Sequence, residues 1–292
     1  MPDQLPGLLL DTHTHLWNPA LGYPWLSGEL RRPYSPGDLR EAVAARSPVP
    51  PFRQVAVILV EADRGPDGTE TAEHLRLAAH DPLVVGVVGD LPPGRTVDSL
   101  LDLPGSERLL GIRTSARRFA ALDRSERLAL AGALATHRLT WEFNVGVELL
   151  PDVADVVRAE PSLHVVLDHL AGFPGARSPD LPTWERAAGR LAVRSSVGVK
   201  VSGLLTMDRD RGRAETDRAA ARVVDTFGPA HLMLGSDWPV CRQAGTWSES
   251  IDRAIRACGF TATSAPADLA GRSAARCYPR LDLTGVPGTA PG

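Results

Sequence analysis

Two histidines separated by one residue, His13 and His15, are the sharpest chemical feature of this sequence. In a strand, residues i and i+2 project to the same side, so both imidazoles face one space. There they can share a metal ion or a substrate oxygen. A carboxylate far along the chain, Asp237 in Leu234-Gly235-Ser236-Asp237-Trp238-Pro239, can ligate a metal or take a proton from water. His13, His15 and Asp237 are therefore the candidate metal ligands. His169, directly after the apolar run Val165-Val166-Leu167 and Asp168, joins them as a candidate catalytic group. Arg113 and Lys200 are cations set within apolar runs rather than on charged faces, which suits them to hold substrate. Lys200 is the only lysine in the chain. Glu61 closes another apolar run and belongs with the same set. His74, His80, His137, His164 and His231 read as structural.

These residues need elements to position them. Short runs rich in Val, Ile and Leu recur at Leu8–Leu10, Val55–Val60, Leu83–Val88, Leu109–Ile112, Trp141–Val147, Leu163–Leu167, Val197–Val201 and Leu232–Leu234. Most are continuous rather than alternating, as strands buried on both faces are. Stretches with helical spacing lie between them, at Glu70–His80, Ser125–His137, Leu150–Glu160, Pro182–Ser195 and Arg213–Phe227. Alternation of this kind predicts right-handed βαβ units, and eight of them predict an α/β fold of (β/α)8 TIM-barrel type. An open doubly wound sheet is the alternative, but no G-x-G-x-x-G follows the first strand. A polar or ionisable residue closes every run: the 11–15 segment, Glu61, Asp90, Arg113, Glu142 with Asn144, Asp168-His169, Lys200 with Ser202, and Ser236-Asp237. In a barrel these ends converge on one mouth.

The first connection is long. Trp17 to Pro51 is rich in proline and carries Tyr23, Trp25 and Tyr34, with a short helix expected at Gly37–Ala45. Its aromatics favour an ordered excursion over the barrel mouth. Residues 1–283 read as one barrel domain, with a flexible tail at 284–292.

Composition narrows the class. The chain has 292 residues, a formal charge of −3 and 43% apolar residues, enough for a real core. Neither nucleic acid nor a membrane surface is expected as a partner, and no run is long enough to span a bilayer. Three cysteines without a C-x-x-C pair do not read as a disulfide framework or a thiolate zinc site. The short apolar run at the N-terminus lacks a basic leader, so a cytoplasmic protein is expected, with a homo-oligomer left open.

Four segments together carry a resemblance: Asp11-Thr12-His13-Thr14-His15-Leu16-Trp17, Leu167-Asp168-His169-Leu170, Val199-Lys200-Val201-Ser202-Gly203-Leu204 and Gly235-Ser236-Asp237-Trp238-Pro239-Val240. The chain resembles the amidohydrolase superfamily, and within it the amidohydrolase 2 branch of sugar-lactone and pyrone-dicarboxylate lactonases. The resemblance runs from residue 11 to about 280 and implies a distorted (β/α)8 barrel. It places His13 and His15 on the strand-one pair, His169 on the strand-six histidine and Asp237 on the strand-eight aspartate. Departures are also present. Arg113 stands where many binuclear members carry a bridging lysine or glutamate, Thr114 replaces the histidine that often follows, and Glu142 and Asn144 stand where a strand-five histidine is common. A binuclear site therefore lacks its ligands.

The resemblance implies hydrolysis of a small lactone, such as an aldonolactone, by water attack at the carbonyl with Asp237 as general base. His13, His15 and His169 would orient water and carbonyl, with one divalent zinc or with no metal. Arg113, Lys200 and Glu61 would contact substrate, and Trp25 and Trp238 would flank a sugar ring. Two alternatives stay open: a metal-dependent decarboxylase of the same superfamily, and a binding barrel without catalysis.

Overall fold

The structure is a computed structural model that describes residues 7–45, 52–64, 69–261, 263–265, 267–284 and 286. Eight strands form one parallel sheet in sequence order. They are β1 (Leu8–Thr14), β2 (Gln54–Val60), β3 (Val84–Gly89), β4 (Leu109–Ser115), β5 (Thr140–Asn144), β6 (His164–Leu167), β7 (Val197–Val201) and β8 (Leu232–Leu234). This is the expected (β/α)8 barrel. The fifth strand is shorter than its apolar pattern suggests, because the chain leaves the sheet at Val145 to line the mouth.

Burial on both faces explains the continuous apolar runs. Leu9, Val57, Leu59, Trp141, Val165 and Val199 pack outward against the helices. Leu8, Leu10, Ile58, Val166 and Met233 fill the barrel interior with Cys277 and Tyr278. Each fully buried large apolar side chain contributes about 1.5–3 kcal/mol by leaving water. Helices at Thr69–Ala78, Arg124–Thr136, Leu150–Ala159, Leu181–Ala192 and Arg213–Phe227 stand where helical spacing predicts them. The helix Trp247–Ala257 escapes that reading. Its start is marked by a capping box, Thr246 with Glu249, which satisfies two free backbone donors reciprocally.

The seam between β1 and β8 determines where the site forms. Strand β8 has only three residues. Closure comes from one parallel bridge between Thr14 and Trp238 and from the Thr12 hydroxyl donating to the Leu234 carbonyl at 2.8 Å. Backbone N–H groups of His15 and Asp237 donate to the carbonyls of Trp238 and His13, at 2.7 and 2.9 Å. The Asp11 carboxylate fastens the same seam. It accepts the backbone N–H of Ser236 at 2.9 Å, the backbone N–H of His13 at 3.1 Å and the Trp247 indole at 2.7 Å.

The long first connection is well defined over residues 17–45. A helix spans Pro36–Ala44, and Trp17 bridges Tyr34 in antiparallel fashion. The rings of Trp17, Trp25 and Tyr34 stack edge to face, with centroids 5.2–5.3 Å apart. The end of this connection, 46–51, lies outside the described residues, as does all of the expected tail except Thr284 and Val286. No helix among the described residues is long and apolar enough to cross a membrane.

Candidate active site

The mouth collects its side chains from most of the strands. On β1, Leu8 and Leu10 face inward, and simple alternation would then turn His13 outward. A register irregularity between Asp11 and Thr14 intervenes. It re-aims the strand so that His13 and His15 face the interior, as bulges beside active sites often do. The two Nε2 atoms lie 3.1 Å apart. Asp237 Oδ1 stands 3.6 Å from His15 Nε2 and 3.8 Å from His13 Nε2. The His169 ring meets that of His13 at 4.7 Å between centroids, and its Nδ1 is 3.0 Å from the Ser202 hydroxyl. Both Asp237 (φ 58°) and His169 (φ 48°) occupy the left-handed region, which non-glycine residues hold only where surrounding structure enforces it. Gly203 makes room for the ring: a Cβ there would lie 3.0 Å from His169 Nδ1.

A cavity of about 220 Å³ opens on this cluster, lined by His15, Trp25, Asp63, Arg113, His169 and Asp237, among others. A larger outer hollow of about 670 Å³ shares Asp63, Asn144 and His169 with it. Trp25 is anchored by its indole N–H, which donates to the Ala62 carbonyl at 2.6 Å.

Behind the cluster lies a buried ionic layer. Arg113 Nε donates to Glu61 at 2.6 Å, and its guanidinium stands 3.7 Å from Asp168. Lys200 is fully buried, 2.5 Å from Glu142 and 3.1 Å from His13 Nδ1. The Tyr278 hydroxyl donates to the other Glu142 oxygen at 2.7 Å. Burial pushes Asp168 up, but Lys200, His13 and His169 together outweigh it and hold the carboxyl well below its ordinary value. Burial, followed by the Asp168 charge, lifts Glu142 to about 8. For His13, burial dominates and lowers the imidazole well below 6.5, so this ring is neutral at physiological pH. Asp237 is pushed up by burial and pulled down by the imidazoles of His15, His169 and His13, and it ends below the usual carboxylate range. It is therefore ionised at neutral pH.

His13, His15, His169 and Asp237 thus meet as the spacing predicts, with Arg113 and Trp25 at the same cavity. Three other candidates sit elsewhere. Lys200 lies beneath His13 and does not line the cavity, because its stem starts inside the barrel and its charge is spent on Glu142. Glu61 stands behind Arg113. Trp238 is buried against Tyr34, with centroids 5.3 Å apart, and borders a separate groove beside Arg242. Sequence reading did not single out Asp168, Asp63 or Asp11 as site residues. Asp168 shares its strand end with His169, which was the available signal. Asp63 offered none, since its place at the cavity depends on a φ of 55°.

The donor chemistry fits one divalent ion. Ligand atoms of His13, His169 and Asp237 lie within 4.8 Å of one another. His15 Nδ1 is 2.9 Å from the Val60 carbonyl, an acceptor only, so it carries the proton and leaves Nε2 free to face the cluster. Two or three imidazoles with one carboxylate suit zinc.

Residues 10–280 match the amidohydrolase family. The chain belongs to that family. It is 32% identical over 293 residues to an L-fucono-1,5-lactonase of Burkholderia multivorans, covering 93% of this chain and 96% of the relative. The crystal structure of a zinc-bound amidohydrolase from Burkholderia multivorans superposes with a TM-score of 0.75 at 28% identity, covering 93% of this chain and 99% of that one. An amidohydrolase 2 from Bifidobacterium longum subsp. infantis gives 0.69 at 25% identity, with 94% and 99% covered. This amidohydrolase departs from a binuclear pattern at two strands. On β4 the interior side chain is Arg113, and on β5 it is Glu142, turned toward Lys200.

Proposed function

We propose that this amidohydrolase opens a sugar lactone, an aldonolactone in its simplest form, by attack of water on the ring carbonyl. The observation that carries the proposal is the Asp237 carboxylate at the cavity, ionised and within 3.8 Å of both His13 and His15. The 32% identity to an L-fucono-1,5-lactonase supports the substrate class.

In this reading Asp237 Oδ1 accepts a proton from the attacking water and returns it to the leaving alkoxide. A positioned base of this kind contributes about 10²–10⁴ in rate. His15 and His169 orient the water and the carbonyl. The Arg113 guanidinium faces the developing oxyanion, and its orientation is fixed from behind by Glu61 and Asp168. Trp25 flanks the sugar ring. His13, His15 and Asp237 would hold a zinc ion, which when bound supplies a water whose pKa is lowered towards about 7. A lactone is an activated ester, and the residues alone provide base, orientation and oxyanion support for it. Decarboxylation, which needs a firmly held ion, gains no specific observation, since β5 offers no imidazole.

A panel of aldonolactones with a pH indicator, run with and without chelator, tests this. Acid release that disappears in Asp237→Asn is expected. No release from any lactone, with protein that is folded, would overturn the reading.

A further inference from the structure

The cavity over Asp237 does not end there. It holds about 220 Å³, and the outer hollow beside it holds about 670 Å³. Ligand pockets usually measure about 300–1,000 Å³, so the inner cavity alone is small and the outer hollow is of full size. Asp63, Asn144 and His169 line both, so a molecule seated at His169 continues outward past Asp63 and Asn144. Around the hollow, bonding capacity is unspent. The side chains of Asp63, Ser115, Arg117, Asn144 and Glu148 make no hydrogen bond or ion pair among the described residues. The buried layer beneath the mouth is the contrast, since Glu61, Glu142, Arg113 and Lys200 are all paired there. Asp63, Ser115 and Asn144 are half-buried, and Asp63 is held at a φ of 55°. Strained residues of this kind cluster where a ligand is held.

The chemistry of these groups narrows the occupant. The carboxylates of Asp63 and Glu148 only accept, the Arg117 guanidinium only donates, and Ser115 and Asn144 do both. Arg211 adds a second guanidinium, one of whose N–H groups is spent on the Phe173 carbonyl at 3.3 Å. Two acids thus balance two cations, and the hollow has no net charge to draw an anionic group. Met207 and Phe173 supply an apolar side, the Phe173 ring being wedged edge to face against Trp184 with centroids 5.0 Å apart. Donors and acceptors of both kinds beside an apolar wall suit an uncharged ring with hydroxyls at its rim and C–H groups on its face. We propose that the outer hollow is a subsite for a second, uncharged sugar unit, so that the preferred substrate is a lactone carrying a glycosyl group. The lactone ring lies in the inner cavity at Asp237, the glycosidic oxygen passes Asp63 and Asn144, and the second ring meets Arg117, Glu148 and Phe173. Water still adds to the ring ester alone, and the glycosidic bond stays intact in the aldonic acid released. This inference rests on the lactone-opening reading of the site and extends it outward.

The test compares initial rates on aldonolactones with and without a hexosyl group on O3 or O4. For at least one glycosylated lactone, kcat/KM is expected to exceed that of its unglycosylated counterpart by about tenfold, which two or three added hydrogen bonds supply. Equal or lower values for every glycosylated lactone, with the simple lactones hydrolysed, overturn the subsite and leave the lactone-opening reading standing. No hydrolysis of any lactone overturns both. The double variant Arg117→Ala/Glu148→Ala removes two exposed side chains that line the hollow and not the inner cavity. It is expected to lower kcat/KM on the glycosylated lactone by about fivefold or more and to leave the simple lactone within about twofold. The same loss on both substrates, or none on either, overturns the proposal.

Discussion

The backbone N–H of Asp237 donates to the carbonyl of His13 at 2.9 Å. This hydrogen bond ties the two ends of the candidate site together at the seam where the barrel closes. The carboxylate and the imidazoles need no loop to find each other. Strand pairing and the Asp11 carboxylate bring them together when the fold completes. The left-handed turn at Asp237 then lifts its side chain over the cavity.

Asp237→Asn separates charge from position. The backbone bond to His13 survives, and an amide fits where the carboxylate stood. Loss of the base is expected to cost about 10²–10⁴ in kcat. The thermal midpoint should stay within a few degrees of the parent, by circular dichroism. Turnover near the parental rate in this variant would remove Asp237 from the mechanism.

Asp11→Asn tests the seam itself. Three N–H donors converge on this carboxylate, from Ser236, His13 and Trp247. An asparagine presents an NH₂ to at least one of them, donor against donor, at a cost of about 1–3 kcal/mol. A lower thermal midpoint is expected, together with a fall in kcat larger than any change in KM. Parental stability would show that the bridge at Thr14 and Trp238 closes the barrel unaided.

Much of this site was legible in the residues. The polar closure of each strand marked the mouth, and the His-x-His spacing marked a shared space. Side-chain direction was not legible. Lys200 and Arg113 both read as cations at strand ends, yet Arg113 reaches the cavity and Lys200 is spent inside the barrel. The difference is a matter of depth along a tilted strand and of which acid stands opposite. Neither is encoded locally. His13 faces inward only because β1 slips register between Asp11 and Thr14, and no periodicity announces that slip. Trp238 shows the opposite error: an aromatic beside a candidate site residue looks like a substrate platform, but the Tyr34 ring from the long connection claims it.

Trp25→Ala addresses substrate contact. The indole lines the cavity, is 38% exposed and is held by the Ala62 carbonyl and the edge of Trp17. Removal of one such platform forfeits about 0.5–1.5 kcal/mol, a several-fold change in affinity. KM is expected to rise about tenfold or less while kcat stays within twofold, measured by initial rates on the best lactone. A collapse of kcat at unchanged KM would place Trp25 in the chemistry instead.

Glu70 gives a pH dependence whose sign can be worked out. Its carboxylate accepts the Tyr23 hydroxyl at 3.0 Å and the Ala62 backbone N–H at 2.9 Å, so it ties the long connection to the Ala62–Asp63 edge of the cavity. Burial, and then the neighbouring Glu61 charge, lifts it from 4.5 to about 8. The Ala62 and Arg64 backbone N–H groups and the Tyr23 hydroxyl, all donating to the carboxylate, oppose that rise. Below 4.5 the folded and unfolded chains both hold this proton. As pH rises from there to about 8, the unfolded chain releases the proton and the folded chain keeps it. The unfolded state therefore gains, and the parent loses stability across that window before levelling off. Glu70→Gln has no proton to lose there. The thermal midpoint of the variant, relative to the parent, is expected to be higher at pH 8.5 than at pH 5. A difference that stays constant between the two would mean that Glu70 is ionised in the folded protein, and that Tyr23 and the Ala62 N–H satisfy a buried charge.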